Sequence, residues 1–252
     1  MSVPPRYEVI GVEGLPEIGA GEALSSLIAR AAAAQGTPLA AADLLVISQK
    51  VVSKAEGRIV RLAEIMPSPE TVAMAEELGR DARLIEVILR ESRRVVRRDK
   101  GVLIVETHQG WICANAGVDQ SNVDADTACL LPEDSDRSAR ELRDGLRALT
   151  GHDLGIIIAD TFGRPWREGL TNVAIGVAGL EPLKSYLGEK DPAGHVLQAT
   201  ILALADELAS AAEPIMGKLD RIPVVIIRGL NWPRGESGSR PLLRDPARDL
   251  FR

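Results

Sequence analysis

Three short aliphatic runs, two of them delivered straight into a polar segment, constrain this chain most. They are residues 43–48 (Asp-Leu-Leu-Val-Ile-Ser), 155–159 (Gly-Ile-Ile-Ile-Ala) and 224–228 (Val-Val-Ile-Ile-Arg). Each has the length and branching of a buried strand. The first runs into Gln49-Lys50-Val51-Val52-Ser53-Lys54-Ala55-Glu56-Gly57-Arg58 and the second into Asp160-Thr161-Phe162-Gly163-Arg164-Pro165-Trp166-Arg167-Glu168-Gly169. Functional side chains gather at such strand exits. An earlier strand over 7–12 is broken in the same way by the loop Gly14-Leu15-Pro16-Glu17-Ile18-Gly19.

Between these runs the pattern alternates without a βαβ rhythm. A helix is expected from Gly21 to about Gln35, stopped by Gly36-Thr37-Pro38. Residues 69–98 have helical periodicity and many charges, which predicts one or two outer amphipathic helices. Strand character returns over 101–107, a small-residue loop covers 115–123, and a helix is expected over 138–149 with Gly151 beyond it. A long alanine-rich helix is predicted over 195–212, ended by Pro214, and the tail from Asn231 reads as a loop with a short terminal helix. With no internal repeat or linker, this mixture points to an α+β fold in a single domain over 1–252.

Composition excludes several classes of function. The chain is 45% apolar and 26% charged, as ordinary globular proteins are, but only 3% aromatic, so its core must be aliphatic. A net charge of −6 argues against a nucleic-acid surface. The exception is local: Arg90, Arg93, Arg94, Arg97, Arg98 and Lys100 form a basic run, read as the solvated end of a helix. No apolar stretch is long enough to span a bilayer and residues 1–6 do not resemble a signal peptide, so a cytoplasmic protein is expected. Cys113 and Cys129 are too few and too far apart for a zinc motif and read as small buried hydrophobes.

The common catalytic signatures are missing. There is no phosphate-binding Gly-x-x-x-x-Gly-Lys-Ser/Thr, no Gly-x-Gly-x-x-Gly after a strand, no Gly-x-Ser-x-Gly and no His-Glu-x-x-His, and His108, His152 and His195 stand apart. Carboxylates remain. Asp160, next to the Thr161 hydroxyl, offers the hard oxygens that Mg²⁺ or Mn²⁺ accepts, or else caps a turn, and Asp119 carries the same ambiguity. Arg164 and Arg167 flank Trp166 and are either forks for phosphate or carboxylate, or surface arginines around a packed ring. Lys50 and Lys54 add positive charge after the first strand.

Taken together, the segments 49–57, 116–122 and 160–167 resemble three signature blocks of the coenzyme F420-0:gamma-glutamyl ligase (CofE) family in order and spacing. Residues 14–18, 206–212 and 216–218 resemble its N-terminal loop, late helix and following loop, so the resemblance covers nearly the whole chain. It implies an intertwined homodimer and a GTP-dependent amide ligation, in which L-glutamate is joined to the deazaflavin precursor F420-0 through an acyl phosphate. By the same resemblance Leu15, Pro16, Glu17, Ile18, Gln49, Lys54 and Asn122 hold the guanine nucleotide, and Asp119, Asp160 and Thr161 ligate divalent metals. Mg²⁺ or Mn²⁺ is the implied cofactor, and K⁺ is compatible with it. Some members carry a glutamine metal ligand where this chain has Lys218, which is therefore expected to meet phosphate directly, since an ammonium cannot ligate a cation. Catalysis falls to Asp160, Arg164 and Arg167. The partners implied are small molecules, with neither nucleic acid nor membrane. Because the chain ends at Arg252, the resemblance implies the ligase portion without the nitroreductase-like domain that some relatives carry. Two other functions fit the same residues: a GTP-binding sensor without turnover, and a related ligase for another carboxylate substrate.

Overall fold

The computed structural model describes residues 4–99 and 101–249; residues 1–3 of the amino terminus, Lys100 of the basic run and residues 250–252 of the tail lie outside it. The aliphatic runs become β2 (Leu44–Ser48), the first half of β8 (Gly155–Arg164) and β12 (Val224–Arg228). With β1 (Glu8–Gly11) and β9 (Arg167–Ala178) they form one mixed five-stranded sheet in the order β1-β12-β2-β8-β9. Only β2 and β8 run parallel; the other three pairings are antiparallel.

Strand alternation explains why residues 44–47, 156–159 and 224–227 are apolar at every position. Leu45, Ile47, Ile156, Ile158, Val224 and Ile226 face α1 (Leu24–Ala34) and α5 (Ser135–Thr150). Leu44, Val46, Ile157, Ala159, Val225 and Ile227 face α6 (Leu204–Met216) on the other side. A short helix, α2 (Gln49–Ala55), follows β2 without a break. The chain then builds β3 (Ile59–Arg61), α3 (Pro69–Leu78), α4 (Ala82–Arg90), β4 (Ser92–Asp99), β5 (Val102–Thr107), β6 (Ile112–Ala114) and β7 (Thr127–Cys129). These surround a separate apolar cluster that includes Leu62, Ala75, Ile85, Ile88, Leu103 and Val105. The small pair β10 (Lys184–Ser185) and β11 (Ile201–Leu202) lies between β9 and α6.

The ribbon of β8 and β9 outruns the sheet. Pairing of β8 with β2 ends at Ser48 opposite Ala159, while β8 and β9 stay paired as far as Arg164 opposite Arg167. The tip exposes Trp166 (78%) and Leu170 (68%). Asp160 is thus inside a strand and not in the polar loop expected after residue 159.

Other expectations need correction. Of the basic run, Arg90 does end a helix, α4, but Arg93, Arg94, Arg97 and Arg98 lie along β4: Val95 and Val96 favour the strand, which two bulges bend against β5. The four arginines on β4 are paired with Glu106, Asp99 and Glu77, and Arg90 with Glu86. The late helix begins at Leu204, because Ile201 and Leu202 pair with Ser185 and Lys184, and Asp206 and Glu207 favour a helix start. Pro214 lies inside that helix near its end, which comes at Gly217 with φ of 55°. The tail after Asn231 holds only single 3₁₀ turns at Arg240–Leu242 and Pro246–Arg248 among the described residues. No helix of the described residues is long and apolar enough to cross a membrane.

One buried charge gives a pH-dependent prediction. Asp206 accepts the Ala174 N–H at 2.9 Å, beside the point where β9 carries an extra residue relative to β8. Burial pushes its carboxyl above the ordinary range, and that one backbone bond only partly opposes the rise. A raised native value means that the folded state binds more protons than the unfolded one just above the usual carboxylate range, so stability falls as pH rises through that window. Asp206→Asn keeps an acceptor for Ala174 but carries no charge. Its melting temperature relative to the parent should therefore rise with pH between 4 and 8 in a thermal-melt series; a constant difference would contradict this.

Candidate functional site

Two polar clusters leave the C-terminal edge of the parallel pair, one on each face of the ribbon. The pleat sends Asp160 to the same side as Ile158 and Phe162, and Thr161 to the same side as Ala159. Around Asp160 lie Asp119 and Lys50. Lys50, in the first turn of α2, donates to Asp119 Oδ2 at 2.8 Å and to Ser121 Oγ at 2.7 Å. The Ser121 N–H also donates to Asp119 Oδ1 at 2.7 Å. Burial works to raise the Asp119 carboxyl, but the bonds from Lys50 and Ser121 outweigh it and hold the group below the ordinary range.

Asp160 shows the opposite balance. Burial pushes its carboxyl up to about 6, and the Asp119 charge adds to the rise. The Thr161 N–H and the charges of Lys50 and Lys218 oppose it. Two carboxylates and two ammonium groups therefore share one electrostatic field.

Backbone strain fixes the loop that carries Asp119. Asn115, Ala116 and Gly117 have φ of 56°, 54° and 70°, three consecutive left-handed residues. Arg80 Nη1 holds Asn115 Oδ1 at 2.6 Å. At Gly117 a Cβ would meet the Leu131 side chain at 2.7 Å, so glycine answers both the dihedral and the space. Asp119 then exchanges both backbone hydrogen bonds with Cys129, at 3.0 and 2.8 Å.

On the other face, Thr161 Oγ1 donates to Asn172 Oδ1 at 2.8 Å and accepts from Lys218 Nζ at 2.6 Å. Asn172 Nδ2 donates to Glu213 Oε2 at 2.8 Å, and Glu213 pairs with Lys218 at 3.3 Å.

The remaining expected residues are placed as follows. The Leu15–Ile18 segment packs against α2: Ile18 is buried, and Glu17 pairs with Lys54, whose hydrogen bond lowers the Glu17 carboxyl. Gln49 is buried at the start of α2 and accepts from Ser53. Asn122 is exposed, with φ of 55°, just past Ser121. Arg164 and Arg167 are not brought to the carboxylates. Arg164 lies four residues beyond Asp160, about 13 Å along a strand, and bonds the Glu168 carbonyl of its own hairpin at 2.7 Å. Both cysteines are buried, and burial pushes their thiols up to about 12 for Cys113 and about 11 for Cys129, so neither supplies a thiolate.

Sequence reasoning did not single out Ser121, Asn172 or Glu213. A simple hairpin around Pro165-Trp166 would set Leu170 opposite Thr161; an irregularity between Phe162 and Arg164 shifts the register and sets Asn172 there.

Among the described residues no group of three His, Cys, Asp or Glu side chains could hold a metal on its own. Asp119 and Asp160 nonetheless fit a hard divalent cation, since their donors are oxygen, whereas the Thr161 hydroxyl stands on the other face and accepts from Lys218. A cation would also offset the buried charge of Asp160 and the smaller effect of the Asp119 charge on it.

The F420-0:Gamma-glutamyl ligase family model matches residues 14–229. The chain is 47% identical over 247 residues to a coenzyme F420:L-glutamate ligase of Methanothermobacter thermautotrophicus, covering 97% of this chain and 98% of the relative. It is 47% identical to the enzyme of that name from Methanopyrus kandleri (98% and 97% covered) and 42% identical to that of Methanocaldococcus jannaschii (98% and 97%). On the family match and these full-length similarities together, the chain belongs to the F420-0:gamma-glutamyl ligase family.

Proposed function

We propose that this chain joins L-glutamate to the deazaflavin precursor F420-0 in a reaction that consumes GTP and requires Mg²⁺ or Mn²⁺. The observation that carries the reading is the meeting of Asp119, Asp160 and Thr161 with Lys50 and Lys218 at one edge of a buried sheet, in a chain of this family. The γ-phosphoryl group of GTP passes to the precursor's carboxylate and GDP leaves. The glutamate nitrogen, having lost a proton, attacks the acyl carbon, and inorganic phosphate departs with the C–O electron pair.

A divalent cation held by Asp119 and Asp160 would supply charge neutralisation on the phosphates, while the Thr161 hydroxyl lies with Lys218 on the other face of the ribbon. The chain's own groups prepare that place. Lys50 neutralises Asp119, and Lys218, whose side chain is largely exposed, presents an ammonium to a phosphate oxygen. Lys54 is held by Glu17 beside the Leu15–Ile18 loop, and we assign its ammonium to the nucleotide. Arg164 and Arg167 are too far along the ribbon to touch the same phosphoryl group, and we assign them to anionic parts of the precursor.

Asp160→Asn tests the site. It keeps the size of the side chain and removes its charge, so the melting temperature should stay within a few degrees. GTP-dependent glutamate ligation, followed by mass spectrometry of the product, should fall roughly a hundredfold or more. Ligation near the parent rate would remove Asp160 from the chemistry. If the chain only sensed GTP, the parent protein would bind it without releasing phosphate in the presence of precursor and glutamate.

Nucleotide preference is expected to favour GTP, as the family resemblance implies. In a competition assay with equimolar ATP and GTP, GDP should dominate the products, and equal turnover of ATP would refute the preference. We also propose a twofold homodimer, supported by the exposed apolar tip at Trp166 and Leu170. Light scattering at micromolar concentration should return twice the chain mass; a monomeric mass would count against it.

A further inference from the structure

We propose that Arg80 is a substrate-binding residue that receives a carboxylate of the incoming L-glutamate. The inference rests on the ligase reading given above and finds a place for the one substrate to which that reading assigns no side chain.

A guanidinium withdrawn from water needs an anion to offset its charge. Every other half-buried arginine among the described residues has one: Arg58 pairs with Glu91, Arg83 with Asp81, Arg143 with Asp153 and Arg228 with Asp43. Arg80 is half-buried too, yet it makes no ion pair among the described residues. Its Nη1 donates at 2.6 Å to a neutral oxygen, Asn115 Oδ1. Burial pulls the guanidinium below the ordinary arginine range, and no neighbouring charge opposes that. The remaining donors of a planar fork are left for a carboxylate, the anion whose shape matches them.

The position suits the reaction. Asn115 opens the left-handed turn, the Val118 N–H returns to the Asn115 carbonyl at 2.9 Å, and Asp119 follows. Two residues before Asn115 stands Cys113, whose thiol is raised by burial and then by the charge of Asp160. Arg80 therefore sits beside a turn with one site carboxylate at its exit and the other near its entrance. The two other substrates are assigned to different elements, the nucleotide to the Leu15–Ile18 loop and α2, the precursor to the ribbon of β8 and β9. Arg80 comes from a third, since it directly follows α3 and its capping Gly79. A glutamate carboxylate held there leaves the nitrogen free to turn toward the acyl carbon.

The test is steady-state ligation with each substrate varied in turn, alongside the melting temperature of each variant. Arg80→Met should raise the KM for L-glutamate roughly tenfold to a hundredfold, the loss expected for a hydrogen bond to a charged group. The KM values for GTP and the precursor should stay near those of the parent. Arg80→Lys keeps the charge but not the fork, and its rise should be smaller. Asn115→Asp is the sharper variant. It keeps the bond to Arg80, tolerates the left-handed dihedral and sets the chain's own carboxylate where the substrate's would pair. Its melting temperature should equal or exceed the parent's while the KM for L-glutamate rises about tenfold. If Arg80 only held the turn, that stronger grip would leave the KM unchanged.

Should Arg80→Met not fold, Asn115→Asp and Arg80→Lys carry the test. A parental KM for L-glutamate in Arg80→Met or Asn115→Asp, or an equal rise for GTP or the precursor, overturns the inference alone. A parent protein that does not ligate glutamate overturns it together with the ligase reading.

Discussion

The parallel pairing of β2 with β8 governs what the rest of this protein can do. Parallel strands finish at the same edge of a sheet, so two segments more than a hundred residues apart in sequence deliver their next residues to one place. The last pair is Ser48 with Ala159, and beyond it stand Gln49 and Lys50 on one side and Asp160 and Thr161 on the other. Until that edge both faces of the sheet are covered by helices, and a polar side chain would lose its water without a partner. Ligand sites in open mixed and parallel sheets occur at such carboxyl edges for this reason.

Charge is arranged at that edge as two opposed pairs. Asp119 is held ionised by Lys50 and Ser121, while Asp160, more deeply buried and next to another carboxylate, carries a raised affinity for protons. Lys218 stands on the far face of the ribbon, yet its charge still acts on Asp160. An incoming cation and an incoming phosphate would find counter-charges already in place, which limits the reorganisation needed when both bind.

Much of this was legible in the residues. The aliphatic stretches at 44–47, 156–159 and 224–227 announce the sheet, because burial on both faces favours an apolar side chain at every position. Asp160 and Thr161 were found as oxygen donors next to such a run, and Asp119 as a carboxylate in a small-residue loop. Hidden features share one cause: they depend on register and not on local composition. Asn172 cannot be matched with Thr161 without knowing of the irregularity between Phe162 and Arg164. Glu213 looks like any exposed helical carboxylate until α6 is laid across β9. The basic run misleads for a related reason, since arginines suit a solvated helix and an exposed strand equally, and only the pairing with β5 decides.

The left-handed turn before Asp119 bears on how this sequence can drift. Asn115 and Ala116 each hold a conformation that costs an ordinary residue about 1–2 kcal/mol, so either could be exchanged for glycine without steric objection. The exchange does not run backward at Gly117, where the dihedral and the Leu131 side chain both bar a Cβ. Substitution at this turn is ratcheted toward a looser chain, and the grip of Arg80 on Asn115 is what selection can use to oppose it.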